Sequence, residues 1–161
     1  MHILLFKECT VMNQPHKQCI TRHEVSSVQL LSEKMEAEDQ PRKDGEMERP
    51  IPTVWRPIFR QIVQSFVTHD YYVKSRPHEV SPIDAATAKQ IREYIDDYGE
   101  KLIELPEGAW ESSVCIWMED HWDVLIDLWS EAEGRSDLVL SATVSESSEG
   151  YIFNVYMVYV P

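Results

Sequence analysis

The run from Ser112 to Pro161 limits what this chain can fold into. It reads SSVCIWMEDHWDVLIDLWSEAEGRSDLVLSATVSESSEGYIFNVYMVYVP. Four stretches rich in Val, Ile, Leu, Trp and Tyr are separated by short clusters of Asp, Glu, Ser and Gly. That pattern predicts an antiparallel meander. Strand one is expected over 113–119, with a tight turn at Asp120 and His121. Strand two follows over 122–129. A longer turn containing Gly134 leads to strand three over 138–145, and strand four runs over 151–160. In strand three, Leu138, Leu140, Ala142 and Val144 alternate with Ser141, Thr143 and Ser145. One face is therefore expected to be solvated.

Two helices are expected ahead of the meander. Pro57 suits a first helical turn. Ile58, Phe59, Ile62, Val63, Phe66 and Val67 then repeat as one broad apolar face. The second helix opens at Ser81-Pro82-Ile83-Asp84, with Ser81 as the expected N-cap and Pro82 at the first position. Ile83, Thr87, Ile91, Tyr94, Ile95 and Tyr98 form its buried stripe, and Gly99 ends it. Lys101 to Leu105 reads as a short extended piece. Helices followed by strands imply an α+β fold, with two helices packed on one face of a four-stranded antiparallel sheet; a sheet curved around them is compatible with this order but not demanded by it.

Residues 1–50 differ from the rest. Val25, Val28, Leu31 and Met35 fall at helical spacing, which predicts a short amphipathic helix over 26–38. The next stretch, EAEDQPRKDGEMERP, reads as a charged linker. The expected division is a variable extension over 1–50 and one domain over 51–161. Cys9, His16, Cys19 and His23 are zinc-ligand types close together, but they lack the close Cys pair and later His pair of a finger. No metal or cofactor is expected.

Charge narrows the function classes. The chain carries 15 basic and 28 acidic side chains, a net charge of -13. Residues 1–50 hold 7 basic and 9 acidic of these, leaving 8 and 19, net -11, for 51–161. Such a surface repels phosphate backbones, so nucleic-acid binding is disfavoured. It attracts basic partners, and it also simply keeps a protein soluble. Three cysteines form no CxxC and no even framework, which fits a reducing compartment. The start of the chain has too few consecutive apolar residues for a signal peptide, and no run is long enough for a membrane helix. A cytoplasmic protein is expected.

Phosphate-binding loops, the GxSxG elbow and HExxH are all missing from the sequence. The residues left to weigh lie in the meander. Asp123, Leu125, Asp127 and Trp129 share one face of strand two; Trp122, Val124, Ile126 and Leu128 share the other. Aspartate is depleted in strands. Two of them on one face suit either a partner surface or solvated positions on a half-exposed sheet. Glu119, Asp120 and His121 crowd the first hairpin, where a metal or acid–base site and ordinary turn chemistry both fit. Arg135 is expected to pair with Asp127 or Asp137, or to fix an anion. The expected partner-binding set is Glu119, Asp120, His121, Asp123, Asp127, Trp129 and Arg135.

The run Trp110 to Trp117, the triplet Trp122-Asp123-Val124, the loop Glu133 to Leu138 and the closing Met157 to Val160 resemble an uncharacterised family of small bacterial α+β domains. The resemblance covers 51–161 and implies a fold, with no activity to carry over. Size, acidity and element order are also similar to immunity proteins of bacterial toxin systems. The function expected is a protein-binding module, in its sharpest form an immunity protein that presents carboxylates to a basic toxin. The alternatives are a structural or regulatory subunit that dimerises through a strand edge and a metal-dependent hydrolase at the first hairpin.

Overall fold

The computed structural model describes residues 40–45 and 47–161. The expected helix over 26–38 and the Cys9, His16, Cys19, His23 group lie outside the described residues. The described part is α+β, with a short strand β1 (Arg49–Pro50) and helix α1 (Arg56–Val67) followed by helix α2 (Ala85–Tyr98). Strand β2 (Leu102–Ile103) precedes the meander β3 (Val114–Trp117), β4 (Trp122–Ser130), β5 (Gly134–Ser147) and β6 (Gly150–Tyr159). The four long strands were legible, but the sheet has six. β1 lies beside β3 at one edge, and β2 pairs with the far end of β4. Two-residue strands bury too little to leave a periodic signature.

Both helices form where their apolar faces repeat. Phe59, Ile62, Val63 and Phe66 of α1 are buried, as are Ala88, Ile91 and Ile95 of α2. They pack on the inner sheet face of Trp122, Val124, Ile126, Leu128, Leu140, Ala142, Val144, Phe153 and Val158. The N-cap of α2 is Asp84 and not Ser81; its Oδ1 accepts from Ala86 N and Thr87 N at 2.8 and 2.9 Å. Ser81 is instead drawn to the sheet, where its N–H donates to Phe153 O at 2.9 Å. Tyr94, expected in the stripe, is exposed. Gly99 caps the helix at φ 80°, a left-handed conformation that glycine takes without a Cβ clash.

The segment over 40–50, expected to be linker, packs on the sheet from Arg42 onward. The Trp122 indole Nε1 donates to Arg42 O at 2.9 Å. Lys43 Nζ lies 5.0 Å from the Trp117 ring centre and pairs with Glu146 at 2.7 Å. All three contacts are long-range, so local composition could not disclose them.

Buried serine hydroxyls complete the sheet where the ladder breaks. The register jumps from Asp127↔Val139 to Trp129↔Arg135, a bulge that sets Leu128 against three residues of β5. There Ser136 Oγ donates to Leu128 O at 2.8 Å and accepts from Leu138 N. Beyond the end of β3, Ser113 Oγ accepts from Asp127 N at 3.1 Å and donates to Ala109 O. A buried N–H left alone would cost about 1–3 kcal/mol, which is why these positions are polar.

The outer edge of β6 is plugged rather than open. Phe153 N and O bond to Glu79 O and Ser81 N. Farther along, the Gln90 amide donates to Val158 O at 2.7 Å and accepts from Val158 N at 3.3 Å. An unpaired edge is a template for pairing with another chain, and here it is blocked at two points. Substituting Q90L keeps the volume but removes both bonds. It should lower the unfolding free energy by about 1–3 kcal/mol in urea titration. An unchanged midpoint would show that the amide contributes nothing.

Candidate functional site

The alternation of β4 is complete: Trp122, Val124, Ile126, Leu128 and Ser130 are buried, and the residues between are half-exposed. The pleat therefore sends Asp123, Leu125, Asp127 and Trp129 away from the helices. Strand register extends this outer face sideways. Asp123 lies between Ile116 and Thr143, and Leu125 between Val114 and Ser141. Asp127 lies opposite Val139, and Ser141 opposite Met157. Val114, Ile116 and Leu125 are half-buried and stand outside the core cluster. Val139 is buried yet is also outside that cluster. The surface is thus apolar at its centre, with two carboxylates set into it.

The two aspartates have different surroundings. The Asp123 side chain is 47% exposed, and its Oδ1 lies 3.2 Å from His121 Nε2. Asp127 is 20% exposed and sits 3.7 Å from Arg135 Nη1. Arg135 thus takes the pairing reading, reaching back along the outer face from beside the bulge. The pair is loose, and the guanidinium remains mostly in solvent. Its energetic worth is correspondingly small.

The first hairpin brings Asp120, His121 and Asp123 together. His121 Nδ1 is 2.5 Å from Asp120 Oδ1, so the ring bridges two carboxylates. The turn is made by Glu119 in a left-handed conformation, φ 73°, with Met118 N donating to His121 O. Glu119 is exposed, and its side chain makes no hydrogen bond or ion pair with these three among the described residues. Trp129 belongs to a different setting. Its ring is wedged against Gly108 and Gly134, about 3.5 Å from where a Cβ at Gly134 would stand. It packs against the core. The sequence-predicted set therefore divides: Asp123, Asp127 and Arg135 share the outer face, His121 joins Asp120 to Asp123, and Glu119 and Trp129 stand apart. Among the described residues, no group of three or more His, Cys, Asp and Glu side chains is arranged to hold a metal ion.

Sequence reasoning missed a second site. Gln40, Arg42, Arg49, Ile51, Arg56 and Cys115 line a cleft of about 340 Å³ at the opposite edge, beneath the 40–44 segment. Its signal, three arginines spaced by sevens through a segment read as linker and helix start, becomes a cluster only after β1 pairs with β3. Cys115 forms part of the wall. It is 2% exposed, and burial pushes its thiol up to about 11.

Two outcomes follow. The His121 imidazole is held above its ordinary range, chiefly by the hydrogen bond to Asp120, with the charges of Asp120 and Asp123 adding and burial opposing. A raised folded-state pKa means that the cluster contributes stability below about pH 6.5, and loses it as pH rises through the folded value. In D120N the His121 midpoint followed by NMR should fall, and a midpoint that stays in place would remove Asp120 as the cause. The Cys115 thiol should resist a maleimide at pH 8 in the folded protein and react on unfolding. Rapid native labelling would contradict its burial.

No curated protein and no solved structure matches the chain. A family model described as "Domain of unknown function (DUF7668)" matches residues 63–161, a span that takes in the C-terminal part of α1, all of α2 and the whole meander. The chain belongs to this family, an uncharacterised one.

Proposed function

We propose that this protein is a binding module that docks a basic protein partner on the outer face of β3, β4 and β5. The observation that carries the reading is the composition of that face. Val114, Ile116 and Leu125 supply apolar contact area outside the core, while Asp123 and Asp127 supply charge among them. An interface of ordinary strength needs such an apolar centre with satisfiable polar groups around it. The acidity of the sheet side adds steering. From Asp96 to the end of the chain only Lys101 and Arg135 are basic, and Lys101 is paired with Glu131 at 3.0 Å. A cationic partner would be drawn to this side and oriented by it. Neutralising the cationic cleft of a toxin is one role that suits this chemistry. Edge-to-edge dimerisation is less favoured, because Glu79, Ser81 and Gln90 occupy the outer edge of β6.

The test is affinity capture from the native host's lysate at about 50 mM and about 500 mM salt, across which exposed charge attraction is screened. The wild-type chain and D123K/D127K would be run side by side, with circular dichroism confirming that the variant folds. A basic protein held at low salt, weakened at high salt and lost from D123K/D127K is the expected result. A partner retained equally by the double variant would place the docking surface elsewhere.

A further inference from the structure

The structure assigns a second binding site: we propose that the cleft lined by Arg42, Arg49 and Arg56 takes a small multivalent oxyanion, a phosphate ester or a polycarboxylate. The cleft is opposite in character to the rest of the domain. Arg42, Arg49 and Arg56 are among the residues that line about 340 Å³, and none of the described lining residues is acidic. Small-molecule sites begin at about 300 Å³, so the space suits a ligand of metabolite size.

The walls are built, not incidental. On one side the 40–44 segment is fixed by the Trp122 indole on Arg42 O and by Lys43 over the Trp117 and Trp122 rings. On the other, Arg56 Nε donates to Ile51 O at 3.1 Å, and its guanidinium stacks 5.5 Å from the Trp110 ring centre. Cys115 Sγ reaches Pro50 O at 3.6 Å and closes the floor. Pro41, Pro50 and Pro52 complete the lining. Proline has no N–H, so these wall residues offer no backbone donor. The charged donors of the lining are the arginines, whose planar forks match carboxylate and phosphate oxygens, with the Gln40 amide beside them.

The donors are incompletely used. Arg49 pairs with Asp44 through Nη2, yet its Nε is shielded from solvent and has no acceptor among the described residues. A shielded guanidinium N–H without an acceptor is costly, and a ligand oxygen would supply one. Arg42 and Arg56 have no ion-pair partner among the described residues. Asp44 therefore acts as an internal competitor for one of the three cations. Its carboxyl is held below the usual carboxylate range, chiefly by the hydrogen bond from Arg49.

Titration of the ¹⁵N-labelled full chain with inorganic phosphate, citrate and acetate at constant ionic strength tests the site. Phosphate and citrate should each give saturable shifts at Arg42, Arg49, Ile51 and Cys115; acetate, with a single charge, should not. R42Q removes a side chain whose carbonyl, not its guanidinium, anchors the segment, so the fold should survive. R42Q and R49Q should each weaken binding by about tenfold, the scale of one charge-assisted pair. D44N should tighten it severalfold by releasing Arg49, a gain that a loss of structure could not produce. Phosphate saturating without citrate would assign a phosphate ester, and the reverse a polycarboxylate. The absence of saturable shifts with both anions, or affinities unchanged in R42Q and R49Q, would overturn the proposal.

Discussion

The fold hangs on the packing of two indoles. Trp55, fully buried at the start of α1, meets Trp122 of β4 edge-on at 5.3 Å between ring centres. The same Trp55 ring meets Tyr151 and Phe153 of β6 edge-on, and Trp122 lies 4.4 Å from Trp117 of β3. One aromatic cluster therefore fixes the helix against three strands at once. Each such pair adds about 0.5–1.5 kcal/mol beyond area burial, and the geometry is directional where aliphatic packing is not. Trp122 also has a polar use. Its N–H donates to Arg42 O, so one side chain both seats the helix and holds a residue that lines the arginine cleft.

The strong periodicities were readable in advance. β4 carries its alternation in full, and α1 and α2 carry their apolar faces, because burial on one side imposes a repeat that composition alone reveals. The readings that failed depended on contacts between distant residues. Ser81 looked like an N-cap, but a hydrogen bond to Phe153 holds it in an extended segment, and Asp84 caps instead. β1 and β2 each contribute two residues and exist only because β3 and β4 offer free edges beside them. The 40–50 segment has the composition of a linker and is held by an indole, an ammonium over two rings and an ion pair. None of these leaves a local signature.

The candidate site was legible to a similar depth. Asp123 and Asp127 stood out as carboxylates in a strand, and the structure places both on the outer face. The register then supplied what no single strand could: their neighbours Ile116, Val139 and Thr143 come from β3 and β5. Trp129 illustrates the limit of face assignment. It shares the outward side of β4, yet the bulge and the close approach of Gly108 turn its ring into packing material. The charge of the domain is also divided in space. The meander is almost wholly acidic, while Arg42, Arg49 and Arg56 gather at its first edge. A net charge summed over the chain conceals that division.

The clustered indoles give the protein an optical property of its own. Trp122 lies 5.3 Å from Trp55 and 4.4 Å from Trp117 between ring centres, in inclined orientations, which is the condition for neighbouring excited states to couple. Near-ultraviolet circular dichroism and tryptophan emission are therefore signals of a unit, not sums of separate residues. The Trp122 N–H bond to Arg42 and the ammonium of Lys43 over two of the rings connect that unit to the 40–44 segment. Any event that seats or lifts this segment is written into the spectrum of the unlabelled chain.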